Sequence, residues 1–233
     1  MLKQLRLLVF DLDYLVFDCA ALKGKVLRES LLSCADEIPP DIRLPDAVDA
    51  WELHHLHGWR WPRHLEIGLD EDRLEEIADD FRLRQDRLVE AGWGSVFPGI
   101  SGLLQACREA GLSNVLGAEA SRDYLMAVSD RQDLAMLFDA AYCTGEFGMG
   151  GAEEMLDEIL NRAEALPSET ALLGTRPSFF EAARNLDVLS IGCGWGTPDP
   201  DALGPVDLQA ITLEDAWRAI EAADGIAADR HEA

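Results

Sequence analysis

From Phe97 onward, helical stretches alternate with short apolar runs, and this alternation restricts the possible fold more than any other feature. Pro98 and Gly99 open a helix, GISGLLQACREAG, that stops at Gly111. A short run from Asn114 to Gly117 follows, and then the helix SRDYLMAVSDRQ with Ser121 as its cap. DAAYC reads as a strand, Glu153 to Ala165 as a helix, and TALLG (Thr170 to Gly174) as a strand. Ser178 to Asn185 is predicted helical, Val188 to Cys193 extended, and Val206 to Ile211 a last strand before the helix Leu213 to Ala223. With Leu5 to Phe10 as the first strand, the pattern predicts a parallel sheet with helices on both faces.

The stretch from Asp18 to Gly94 breaks the alternation. LEEIADDFRLRQDRLVEAG places Leu74, Ile77, Phe81 and Leu88 at helical spacing, and the Pro-rich EIPPDIRLPD reads as a loop between helices. No strand is expected between Asp18 and Gly94. The expected organisation is therefore an α/β core from 1–17 and 95–223, a helical insertion at 18–94, and a frayed tail at 224–233.

The chain has 233 residues, 48% of them hydrophobic, enough for one substantial core with an appended module. Its net charge of -24 repels phosphodiester backbones and anionic membrane surfaces, so neither nucleic acid nor membrane is an expected partner. The acids are spread along the chain, as suits a solubilising surface more than a dedicated tail. Cys19, Cys34, Cys107, Cys143 and Cys193 are odd in number and widely spaced, without a CxxC, so they predict core thiols and not disulfides or a zinc site. MLKQLRLLVF lacks a long apolar segment and a cleavage site and runs directly into DLD. It reads as a strand, with the cytoplasm as the expected compartment.

Chemistry is concentrated where the first strand ends, in LLVFDLDYLVFD. Ligands of open parallel sheets bind beyond the C-terminal ends of the strands, and Asp11 and Asp13 stand there. Two carboxylates suit a hard cation such as Mg²⁺, and one of them could attack a phosphoryl group. This stretch resembles the opening motif FDLDGTLxD of the haloacid dehalogenase (HAD) superfamily. FPGISGLLQACREAG is similar to the PGxxxLLxxLxxxG helix of its phosphoglycolate-phosphatase-like branch, and the helical insertion matches that branch's cap. The resemblance implies a HAD-like Rossmannoid α/β core with an inserted α-helical cap. Asp11 then matches the nucleophile and metal ligand, and Asp13 the general acid/base and second metal residue.

The same resemblance exposes departures. The Gly-Thr pair after the aspartates is Tyr14 and Leu15, which puts a ring where the backbone normally turns tightly. Tyr14 thus either closes the cleft or lines it. The second-motif hydroxyl falls at Ala118 or a neighbour, followed by Glu119. The third-motif lysine aligns with Gly150 or Met149, and no lysine occurs after Lys25. The acids of the fourth motif are replaced by Thr175 and Phe179 in GTRPSFF. Each lost stabiliser of developing charge typically costs about 100-fold or more in rate. Arg176 and Arg122 lie beside motifs and could reach a phosphate, although arginines in such places are more often ordinary surface or structural residues.

The insertion holds four of the five histidines, His54, His55, His57 and His64, with Trp51, Trp59 and Trp61. His54 and His57 would share a helical face, but no HExxH or Cys/His pattern supports a metal. Aromatic packing of the insertion is the expected role. Two functions stay open. One is a catalytically degenerate HAD-like protein kept for binding or regulation, through a protein partner or a small phosphorylated metabolite. The other is a Mg²⁺-dependent hydrolase of a small phosphoglycolate-like metabolite, with a weakly held Mg²⁺ on Asp11 and Asp13.

Overall fold

The computed structural model describes residues 2, 4–38, 53, 58–64, 67–147, 151–197 and 203–232. Strand β1 (Leu7–Asp11) is buried at all five positions, as a strand covered on both faces must be. Leu7 and Val9 join Val115, Met155, Ile159, Leu172 and Phe180 in one core. Successive strand side chains point to opposite faces, so Leu8 and Phe10 serve the other side. There Phe10 packs edge-on against Phe138 with ring centroids 5.9 Å apart.

Five more strands complete one sheet: β4 (Ser113–Ala118), β5 (Ala140–Cys143), β6 (Thr170–Gly174), β7 (Leu189–Cys193) and β8 (Leu208–Ala210). Their order is β5-β4-β1-β6-β7-β8 and every pairing is parallel. The chain therefore builds outward from β1 on one side, then returns to build outward on the other. That reversal makes β1 the topological switch point, where α/β sheets open a crevice beyond the strand ends. Helices α5 (Gly151–Ala163) and α6 (Pro177–Asn185) supply the core on the Leu7 and Val9 face.

The helix expected to end at Ala223 instead continues, with α7 running Leu213–Glu232. The tail expected to fray at 224–233 is thus helical over 224–232. Ala216, Ala219, Ile220, Ala223 and Ala227 form one buried stripe at helical spacing. The Asp224 carboxylate also accepts hydrogen bonds from the Gln4 and Leu5 backbone N–H groups, both at 2.8 Å. These contacts fasten the last turns to the segment that leads into β1.

The chain forms two compact units, 1–18 with 96–233, and 19–95. The two-residue strands β2 (Phe17–Asp18) and β3 (Ser95–Val96) bracket the second unit. Inside that unit, α1 (Ala20–Leu32) packs on α2 (Glu71–Glu90), whose N-cap Asp70 accepts the Arg73 N–H at 2.9 Å. The buried stripe of α2 is Ile77, Phe81, Gln85 and Val89, whereas Leu74 and Leu88 are half-buried. Lys23 is buried and donates to Gln85, and Trp61 packs on Phe81 with ring centroids 5.7 Å apart. Among the described residues, no helix is long and apolar enough to cross a membrane. Between β3 and β5 the chain forms α3 (Ile100–Glu109), β4 and α4 (Arg122–Arg131).

Candidate functional site

Three strand ends converge at the switch point. Asp11 closes β1 in register with Gly117 of β4, and the Leu12 N–H donates to the Gly117 carbonyl at 2.9 Å. The chain then folds on itself: Val16 and Phe17 both donate to the Leu12 carbonyl, and Tyr14 donates to that of Phe17 at 3.0 Å. This turn drives Tyr14 to φ 66°, the left-handed region that a side chain disfavours by about 1 kcal/mol or more. The tight turn expected from the motif is present, and a tyrosine makes it without the usual glycine.

A loop after β7 packs on that turn. Trp195 Nε1 donates to the Leu15 carbonyl at 3.0 Å. A Cβ on Gly196 would lie 1.4 Å from the Tyr14 carbonyl oxygen, so only glycine allows the two backbones to meet. Tyr14 is fully buried.

β6 and α6 bring a guanidinium to the two aspartates. Arg176 follows Gly174 and Thr175 and is the N-cap residue of α6, with Pro177 opening the helix. Its Nε lies 3.3 Å from Asp11 Oδ2 and its Nη2 lies 3.4 Å from Asp11 Oδ1, a two-pronged contact. Nη2 is also 3.6 Å from Asp13 Oδ2, and Nη1 is 3.5 Å from Glu119 Oε2. Thr175 Oγ1 donates to Asp11 Oδ2 at 3.5 Å, and the Tyr124 hydroxyl donates to Asp13 Oδ1 at 2.8 Å. Ser178 Oγ donates to Glu119 Oε2 at 2.8 Å. Asp11, Asp13 and Arg176 are each 1% exposed.

Burial pushes the Asp11 carboxyl up to about 7; Arg176 opposes the rise, while Asp13 and Glu119 add to it. Burial alone would favour loss of the Arg176 proton, but Asp11, Glu119 and Asp13 hold its pKa above the ordinary arginine value. The guanidinium therefore stays charged.

No known family profile matches the sequence, and no curated protein matches it. Solved structures do match its fold. One is a predicted phosphoglycolate phosphatase from Haemophilus somnus, with a TM-score of 0.75 at 14% identity, covering 94% of this chain and 99% of that one. Another is a haloacid dehalogenase-like family hydrolase from Streptococcus pneumoniae, with a TM-score of 0.71 at 13% identity over 92% and 98% of the two chains. A third is CbbY from Rhodobacter sphaeroides in complex with phosphate, with a TM-score of 0.69 at 17% identity over 88% and 93%. The chain has the haloacid dehalogenase fold.

Within this HAD fold the expected positions fall as follows. Asp11, Asp13, Tyr14, Ala118, Glu119, Thr175 and Arg176 lie at the converging strand ends. Ala118 is buried and supplies no side-chain donor. Gly150 and Met149, the lysine-position candidates, lie outside the described residues, as do Trp51, His54, His55, His57 and the side chain of Trp59. His64 is exposed and Trp61 is core. Phe179 is buried, with the Arg176 guanidinium carbon 5.9 Å from its ring centroid. Arg122 is a surface residue, 3.6 Å from Glu146. Arg176 is not a surface residue: it is 1% exposed and its guanidinium is paired with Asp11.

Tyr124, Ser178, Trp195 and Gly196 match no motif position in the sequence, and only the folded chain brings them to the site. A divalent cation does not fit this HAD site as it stands. Both oxygens of Asp11 are already engaged by Arg176, and among the described residues no three His, Cys, Asp or Glu side chains are grouped to hold a metal ion.

Proposed function

We propose that this HAD-fold protein has given up phosphoryl hydrolysis and serves in binding or regulation in the cytoplasm. The observation that carries this reading is the buried Arg176 guanidinium on Asp11. A nucleophilic carboxylate needs an open, ionised oxygen facing its target. Asp11 is 1% exposed, is held at both oxygens, and carries a carboxyl whose pKa is pushed up to about 7.

The surrounding charge supports the same reading. Phosphoryl transfer depends on positive groups placed where negative charge gathers. Here one guanidinium faces three carboxylates, those of Asp11, Asp13 and Glu119. A phosphate such as the one held by the Rhodobacter sphaeroides protein would meet a net negative field, with no second-motif hydroxyl at Ala118. The five cysteines are free and buried, which suits a reducing compartment.

Phosphate release from a panel of small phosphorylated metabolites, with and without Mg²⁺, tests the proposal. The expected result is release no faster than from Asp11→Asn. Mg²⁺-dependent turnover that disappears in Asp11→Asn would establish the hydrolase reading instead, with Asp11 as nucleophile and Asp13 as general acid/base.

A further inference from the structure

We propose that Arg176 is the resident cation of this site: its guanidinium takes the space in which the two strand-end aspartates would hold a divalent metal, and the wild-type chain binds no metal there. The inference deepens the non-hydrolytic reading and rests on the same cluster, but it concerns cation binding and not turnover.

The argument is one of charge and geometry. Asp11 and Asp13 lie two residues apart on a turn fixed by backbone hydrogen bonds, so their carboxylates are held together whatever neutralises them. A buried carboxylate pair needs a positive partner. Arg176 provides it with a planar fork: Nε and Nη2 take the two oxygens of Asp11, and Nη2 leans toward Asp13 Oδ2 at 3.6 Å. Nη1 reaches Glu119 Oε2 at 3.5 Å. The other Asp13 oxygen accepts the Tyr124 hydroxyl at 2.8 Å.

Mg²⁺ asks for oxygens at about 2.0–2.1 Å in octahedral array and usually keeps several waters. To enter, it would have to expel a guanidinium anchored at the start of α6, buried to 1% and lying beside the Phe179 ring. Two cations in one space also repel each other. An arginine suits the role better than a lysine, because its charge is not lost on burial and its fork matches a carboxylate. Such a tethered cation cannot dissociate or be removed by a chelator.

The inference predicts a gain of function on removal. Arg176→Ala leaves three carboxylates facing a vacated space, and a divalent cation can then compensate them. Mn²⁺ binding by electron paramagnetic resonance, competed with Mg²⁺, is measured on the full chain. Pairing each form with its Asp11→Asn counterpart subtracts weak binding to surface acids. Wild type and Asp11→Asn should give superimposable isotherms. Arg176→Ala should bind Mn²⁺ more tightly than Arg176→Ala/Asp11→Asn, and Arg176→Gln should behave likewise in milder form.

If Arg176→Ala folds only when Mn²⁺ is added, and the double variant does not, that rescue is the same gain of a site. A wild-type Mn²⁺ site lost in Asp11→Asn overturns the inference. So does an Arg176→Ala isotherm indistinguishable from that of the double variant. The two proposals fail separately: turnover without a wild-type Mn²⁺ site overturns only the non-hydrolytic reading, and a wild-type Mn²⁺ site without turnover overturns only this one.

Discussion

Asp11 is where burial and charge pairing compete most sharply. Its folded carboxyl has a pKa of about 7 against an ordinary 3.8, with burial as the largest cause. Between those values the folded protein keeps a proton that the unfolded chain has released. The associated stability is fully present below the unfolded value and is lost as pH rises through about 7. Asp11→Asn cannot lose that proton. Urea unfolding at about pH 5 and about pH 7.5 should therefore show the variant gaining on wild type by about 2 kcal/mol at the higher pH. An unchanged difference between the two would mean that Asp11 is ionised throughout. Asp11 and Asp13 were legible from sequence because a strand-end motif is local. Their pairings were not: Arg176, expected only as a residue that could reach a phosphate, is 165 residues from Asp11, and Tyr124 is 111 from Asp13. Hydrophobic periodicity carries no information over such separations.

Among the elements, the turn after β1 and the loop after β7 depend on one missing side chain. Gly196 leaves no room for a Cβ against the Tyr14 carbonyl, a backbone atom that cannot rotate aside. Gly196→Ala should cost about 1–3 kcal/mol in denaturant unfolding, as overpacking does. Gly102 in α3 is the control, since a Cβ there meets nothing within 4 Å. Gly102→Ala should stabilise by up to about 1 kcal/mol through helix propensity. Equal responses at the two sites would show that the loop gives way easily. The long strands were readable as continuous apolar runs, and Ser121 as the cap that accepts the Tyr124 N–H at 3.2 Å. β2 and β3 were not, because two residues carry no period. The last turns of α7 were hidden for a different reason. Their buried stripe is mostly alanine, interrupted by Asp224 and Gly225, and resembles a polar tail until Asp224 meets Gln4 and Leu5.

On the scale of the whole molecule, 44 acidic residues against 20 basic ones leave a net charge of -24. Like charges held close on a folded surface repel more than on an expanded chain, and salt screens them over about 10 Å at 0.1 M. The thermal midpoint should therefore rise as NaCl is added from low concentration; a midpoint that falls would mean that attractive ion pairs dominate the surface. The order of strands and helices, the place of the insertion and the strand-end aspartates were determined by the sequence alone, because apolar period, turn residues and caps act over a few neighbouring positions. Only the tertiary structure decided what neutralises the aspartates. The chain crosses back over β1 to form β6, and that crossing carries Arg176 from the far side of the sequence into the buried space beside Asp11, where charge compensation in a water-poor interior holds it.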